Sequence, residues 1–99
     1  MEISVRELAR KKGLILLDVR EQWERDICRI PGDIHIPMRE LPLRLKDLPK
    51  GREIVVYCHT GNRSLRASAF LVKHGFRAKS LKGGIDEWAG KIDKKMKRY

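Results

Sequence analysis

Apolar and polar positions alternate along the chain in two distinct periods. Leu14-Ile15-Leu16-Leu17 and Ile54-Val55-Val56 are short continuous apolar runs, the pattern of strands covered on both faces in a parallel sheet. Between and after them the apolar residues are spaced for helices. Ser4-Val5-Arg6-Glu7 has the spacing of a capping box and predicts a short helix to about Lys11, ended by Gly13. Glu21 to Arg25 predicts a helical turn. Leu41, Leu45 and Leu48 fall at near-helical spacing, with Pro42 near the start and Pro49 beyond the end. Ser64 to His74 predicts a longer helix, with Leu65, Ala69 and Val72 on one face and Gly75 as its stop. Ile30-Pro31-Gly32-Asp33 reads as a turn, Ile34-His35-Ile36 and Ala78 to Leu81 as short strands, and Gly83-Gly84 as a break before a helical Ile85 to Ala89. Strands alternating with helices give an α/β domain with a mostly parallel sheet, in which sites form at the C-terminal ends of strands.

Asp18, Arg20 and Cys58 all fall at such ends. The cysteine opens the stretch Cys58-His59-Thr60-Gly61-Asn62-Arg63-Ser64, which leaves a buried strand and runs into a helix. The free N–H groups and the dipole of a first helical turn favour an anionic sulfur over a neutral thiol. The same donors hold an anionic substrate. Cys58 is therefore the candidate nucleophile. His59, Thr60, Gly61, Asn62 and Arg63 are candidate substrate-binding positions, with Gly61 supplying a backbone angle that other residues resist and Arg63 a forked set of donors for an oxyanion. Asp18 and Arg20 read as a supporting ion pair beside the site.

Composition narrows this picture only a little. With 99 residues and 41% hydrophobic content, residues 1–99 are expected to form one domain, with a basic tail, 91–99, that is frayed at its end. The formal net charge of +10 attracts small oxyanions, acidic proteins or nucleic acid alike. No apolar run approaches the roughly 20 residues of a membrane helix, and no apolar segment follows Met1-Glu2-Ile3-Ser4-Val5-Arg6 as in a secretory signal, so a cytoplasmic location is expected. Two cysteines, Cys28 and Cys58, are too few for a disulfide framework or a structural zinc site; Cys28 reads as a bystander. His35 and His74 lack partners at metal-ligand spacing and read as structural. Trp23 and Trp88 read as core or lid packing. No metal or other cofactor is expected.

Four motifs together resemble the rhodanese family: Leu17-Asp18-Val19-Arg20, Ile30-Pro31-Gly32-Asp33-Ile34 through Pro37, the loop from Cys58 to Ser64, and Leu81-Lys82-Gly83-Gly84-Ile85 with Trp88. The resemblance covers about residues 4–90. It implies a three-layer fold with a mostly parallel five-stranded sheet and helices on both faces. It also implies a sulfurtransferase in which Cys58 takes a sulfane sulfur from a donor such as thiosulfate, becomes a persulfide, and passes the sulfur to cyanide or a thiol. Four residues separate Cys58 from Arg63, one fewer than in the related cysteine phosphatases, which matches a cradle for sulfur rather than phosphate. Two positions depart from the family. His59 stands where many thiosulfate-using members carry a basic residue, and Arg29 stands where a histidine usually precedes Ile-Pro-Gly. Two alternatives stay open: a sulfur carrier or binding module docked on an acidic protein or a tRNA-thiolation enzyme, and a small phosphatase or arsenate reductase.

Overall fold

A computed structural model describes all 99 residues. Five parallel strands form one sheet in the order β1-β5-β4-β2-β3: β1 (Glu2–Ile3), β2 (Ile15–Asp18), β3 (Ile34–His35), β4 (Glu53–Tyr57) and β5 (Arg77–Leu81). Four α-helices connect and cover them: α1 (Val5–Arg10), α2 (Gln22–Ile27), α3 (Asn62–Lys73) and α4 (Gly84–Lys91). The chain is an α/β fold. The two-residue β1, too short to show a period, is absent from the sequence reading. The leucines at 41, 45 and 48 lie in or beside two 3-10 turns, Met38–Leu43 and Leu45–Asp47, with Pro42 inside the first. A proline lacks the N–H that an α-helix would need there.

The central strand β4 shows how the layers arise. Its side chains alternate, so Ile54 and Val56 pack with Leu71, Ala67 and Phe76 on one face, while Val55 and Tyr57 pack with Ile3, Leu8, Leu81 and Ile85 on the other. A strand buried on both sides must be apolar at every position, which is the run that the sequence carries. The same alternation turns Cys58, the next residue, toward the α3 face.

Helix α3 rests on the sheet through Ser64, Ala67, Ser68 and Leu71. Leu65, Ala69 and Val72, expected to share an apolar face, are exposed; the helix is rotated away from that stripe. Small side chains let its backbone approach the strands closely, and the buried hydroxyls of Ser64 and Ser80 meet at 2.7 Å. A hydroxyl pair that satisfies itself is compatible with burial.

The basic tail is not frayed. Ile92, Met96 and Tyr99 turn back and pack against the second core with Trp88. No helix is long and apolar enough to cross a membrane.

Candidate active site

Strand register sets the site. Asp18 of β2 lies beside Tyr57 of β4, so the residues that follow these two strands emerge at one edge of the sheet. Cys58 follows Tyr57 directly and is only 1% exposed. Its sulfur accepts backbone N–H bonds from Gly61 at 3.1 Å and Ser64 at 3.3 Å, and its thiol lies 3.5 Å from the Ser64 hydroxyl as a donor. Gly61 reaches this geometry at φ +116°, a left-handed backbone that glycine adopts without a Cβ penalty. Two N–H dipoles aimed at one sulfur suit a thiolate better than a thiol.

The loop is fixed from outside by α4. The N–H groups of Ile85 and Asp86 bond the carbonyls of Cys58 and His59 at 2.9 and 3.0 Å. This contact requires Gly84. At φ +61°, a Cβ there would fall 2.6 Å from the Cys58 carbonyl oxygen and closer still to that of His59. The Gly83-Gly84 pair, legible in the sequence only as a break, is thus the surface on which the cysteine's own carbonyl rests.

The charged groups beside the loop are paired. Asp18 and Arg20 are both fully buried and joined at 2.9 Å. Arg25 reaches Asp18 at 2.9 Å and Asp33 at 2.6 Å, and the Tyr57 hydroxyl donates to Asp33 at 2.6 Å. Arg63 spends both terminal nitrogens on Glu24, at 2.7 Å each. Glu24, 2% exposed, was missed in the sequence, where it is one acidic residue among several on a short helix. Burial alone would raise its carboxyl, but the bonds from Arg63, Tyr99 and the backbone outweigh that and hold it down at about 2. The Glu24 bond in turn holds the Arg63 guanidinium above its ordinary range against the opposing effect of burial.

Tyr99 closes the network. Its hydroxyl donates to Glu24 Oε2 at 2.7 Å and accepts from Arg20 Nη1 at 3.0 Å. Its ring stacks on His59 at 4.0 Å and 12°, and Trp23, 60% exposed and so not a core residue, meets it edge-on at 6.0 Å. Burial is the main reason why its phenol is pushed up to about 12.

The candidate positions thus fall into three groups. Cys58 and Gly61 form the cradle together with Ser64, to which the sequence reading gave no role. Arg63, Asp18 and Arg20 lie in the ion network. His59 lies under Tyr99 with a buried Nε2 that has no partner. Thr60 and Asn62 make no hydrogen bond with the sulfur. Cys28 is a free thiol like Cys58; its carbonyl takes a bond from Arg20 at 2.8 Å. His35 bonds the Arg20 carbonyl at 2.7 Å and His74 that of Phe70 at 2.9 Å.

Comparison with known proteins agrees with this fold. The profile described as "Rhodanese-like domain" matches residues 4–91. A sulfurtransferase of Allochromatium vinosum is 39% identical over 83 residues, 83% of this chain and 78% of that protein. An adenylyltransferase and sulfurtransferase of Yarrowia lipolytica is 40% identical over 86% of this chain, which spans only 22% of that longer protein. Among solved structures, a rhodanese-related protein from Thermoplasma volcanium superposes with a TM-score of 0.88 at 34% identity, covering 92% of each chain.

Proposed function

The chain belongs to the rhodanese-like domain family, and from that premise we propose that it takes a sulfane sulfur from a donor such as thiosulfate onto Cys58 as a persulfide and passes it to a thiophilic acceptor. The coarser class, sulfurtransferase or sulfur carrier, is that of its relatives. The observation that carries the finer reading is the convergence of the Gly61 and Ser64 N–H groups on the Cys58 sulfur.

In the first half-reaction the Cys58 thiolate attacks the outer sulfur of thiosulfate. The new S–S bond forms as the old one breaks, and sulfite leaves with the electron pair. Cyanide or a thiolate then attacks the terminal sulfur and leaves as thiocyanate or as a persulfide, which returns Cys58 to the thiolate. This is nucleophilic catalysis through a covalent intermediate. The two N–H groups hold negative charge on sulfur at both stages without reorganising.

Because Arg63 is bound to Glu24 and Arg20 to Asp18, the donor meets backbone dipoles rather than a free cation at the base of the cradle. The short loop also leaves little room for a phosphate. Intact-protein and peptide mass spectrometry after incubation with thiosulfate should show one added sulfur atom on Cys58, removed again by cyanide. Cys58→Ser should lose both the mass gain and turnover. No gain with thiosulfate, mercaptopyruvate or polysulfide, or full turnover by Cys58→Ser, would refute the reading.

A further inference from the structure

The proposed reaction needs access to a sulfur atom that is almost fully buried, so some part of the rim must move. The cradle itself is poorly suited to moving, since the carbonyls of Cys58 and His59 are bonded to α4. Arg63 is held on a buried carboxylate. The segment ending in Tyr99 is different. Its last backbone bond is Met96 N–H to the Asp93 carbonyl at 3.1 Å, and Lys97, Arg98 and Tyr99 make none. They are held by side chains alone, through Arg98 to Asp86 at 3.0 Å and through the Tyr99 ring and hydroxyl. Segments with few backbone bonds open at the lowest free energy in a fold.

Tyr99 also lies where opening matters. It reaches both ends of the loop that carries the cradle: His59 directly by stacking, and Arg63 indirectly through the carboxylate of Glu24. Together with Cys28, His59, Ile85 and Ala89 it lines a slot beside the loop too narrow for a water molecule. The buried His59 Nε2 without a partner lies on this side of the site. A buried nitrogen without a partner is a cost of the closed arrangement, and it would be recovered on hydration when Tyr99 lifts.

We propose that Tyr99 is a specificity-determining residue of the persulfide site, a removable cover that admits small sulfur donors and acceptors and must be displaced by bulky ones. The inference rests on the sulfurtransferase reading for the meaning of donor and acceptor, but the cover can be tested without turnover. Cys58 in the full chain is alkylated with iodoacetamide and, separately, with a bulky pyrene maleimide, and the rate at Cys58 is read by peptide mass spectrometry so that Cys28 does not interfere. Wild type, Tyr99→Phe and Tyr99→Ala are compared.

Loss of a stacked ring and two hydrogen bonds should raise the bulky-to-small rate ratio by about tenfold to a hundredfold in Tyr99→Ala. Tyr99→Phe keeps the ring but loses both hydroxyl bonds, so it should give a smaller rise; it also preserves the packing if the alanine variant melts early. The same proteins are incubated with thiosulfate. Persulfide formation with an unchanged alkylation ratio in both variants overturns the cover alone. A raised ratio with no persulfide from any donor supports the cover and overturns the sulfurtransferase reading.

Discussion

The loop 58–64 and the segment 92–99 meet at the stacked rings of His59 and Tyr99 but are held in opposite ways. In the loop the main chain does the work. Gly61 turns left-handed, the Gly61 carbonyl takes the Leu65 N–H at 3.0 Å, and α4 donates to two successive carbonyls. Such a loop depends little on its own side chains, and neither Thr60 nor Asn62 bonds the sulfur. The segment reverses this. After Asp93 its main chain makes a single turn bond, and its position depends on Met96, Arg98 and Tyr99. Backbone-held structure is rigid because each bond is shared along the chain, whereas side-chain-held structure releases when one residue lets go. A nucleophile needs the first kind of support and a cover needs the second.

The sharpest break in this comparison is Gly84→Ala. The added Cβ meets the carbonyl oxygens of Cys58 and His59, and φ +61° is itself unfavourable for alanine. Together these should destabilise the fold by about 3 kcal/mol, or about 12–24 °C in melting temperature for a domain of this size. Residual activity at low temperature should also fall, because the clash displaces the carbonyl of the nucleophile itself. Differential scanning calorimetry and thiosulfate turnover below the transition check both. Gly32→Ala serves as the contrast: its φ is +86° but no atom lies within 4 Å of the Cβ position, so it should cost only the backbone strain, about 1–2 kcal/mol, and leave turnover intact. Equal losses in the two variants would show that the contact with the loop does not matter.

Which parts of this were legible in the sequence follows from range. Elements governed by local pattern were visible: the two buried strands, the Ser4 capping box, the glycine stops, the cysteine at a strand end. What was hidden depends on pairing across the sheet. Glu24 acquires its meaning only when Arg63 arrives from 39 positions away. The face of α3 was misjudged because Ser64 and Ser68 pass as polar surface until Ser80 provides a partner. The tail reads as frayed because its lysines dominate the composition. Yet Trp88, Ile92, Met96 and Tyr99 recur at helical spacing, which is the periodic signal of a segment that docks.

The second test works on the junction between the two regions. Glu24 is bonded by Arg63 of the loop side and Tyr99 of the cover. Its carboxyl titrates at about 2 in the folded chain against an ordinary 4.5. Between those values the unfolded chain binds more protons than the folded one, so stability rises with pH there. The contribution of Glu24 is fully present above about pH 4.5 and is lost as pH falls toward 2. Glu24→Gln should therefore be less stable than wild type at pH 7 by about 1–3 kcal/mol, and the two should converge as the pH drops. Urea midpoints at pH 7, 4 and 3 measure the gap. A constant gap across that range would mean that the ion pair contributes nothing and that the loss comes from packing alone.

The smallest expected effect separates the two ways in which the segment is tied down. Arg98 bonds Asp86 at 3.0 Å, with both side chains partly in solvent. An exposed pair of this kind gains little Coulomb energy and costs side-chain entropy, so Arg98→Ala should change global stability by at most about 0.5 kcal/mol. If the cover is held by the Tyr99 ring and its two buried partners, the same substitution should raise the bulky-to-small alkylation ratio at Cys58 by no more than about twofold. Wild type in high salt should show the same small change, since screening weakens the Arg98 pair and leaves stacking untouched. A rise in Arg98→Ala as large as that in Tyr99→Ala would move the hinge of the cover from the aromatic stack to the surface ion pair. The segment would then answer to ionic strength, and the contrast between a loop fixed by its backbone and a cover fixed by one half-buried phenol would no longer hold.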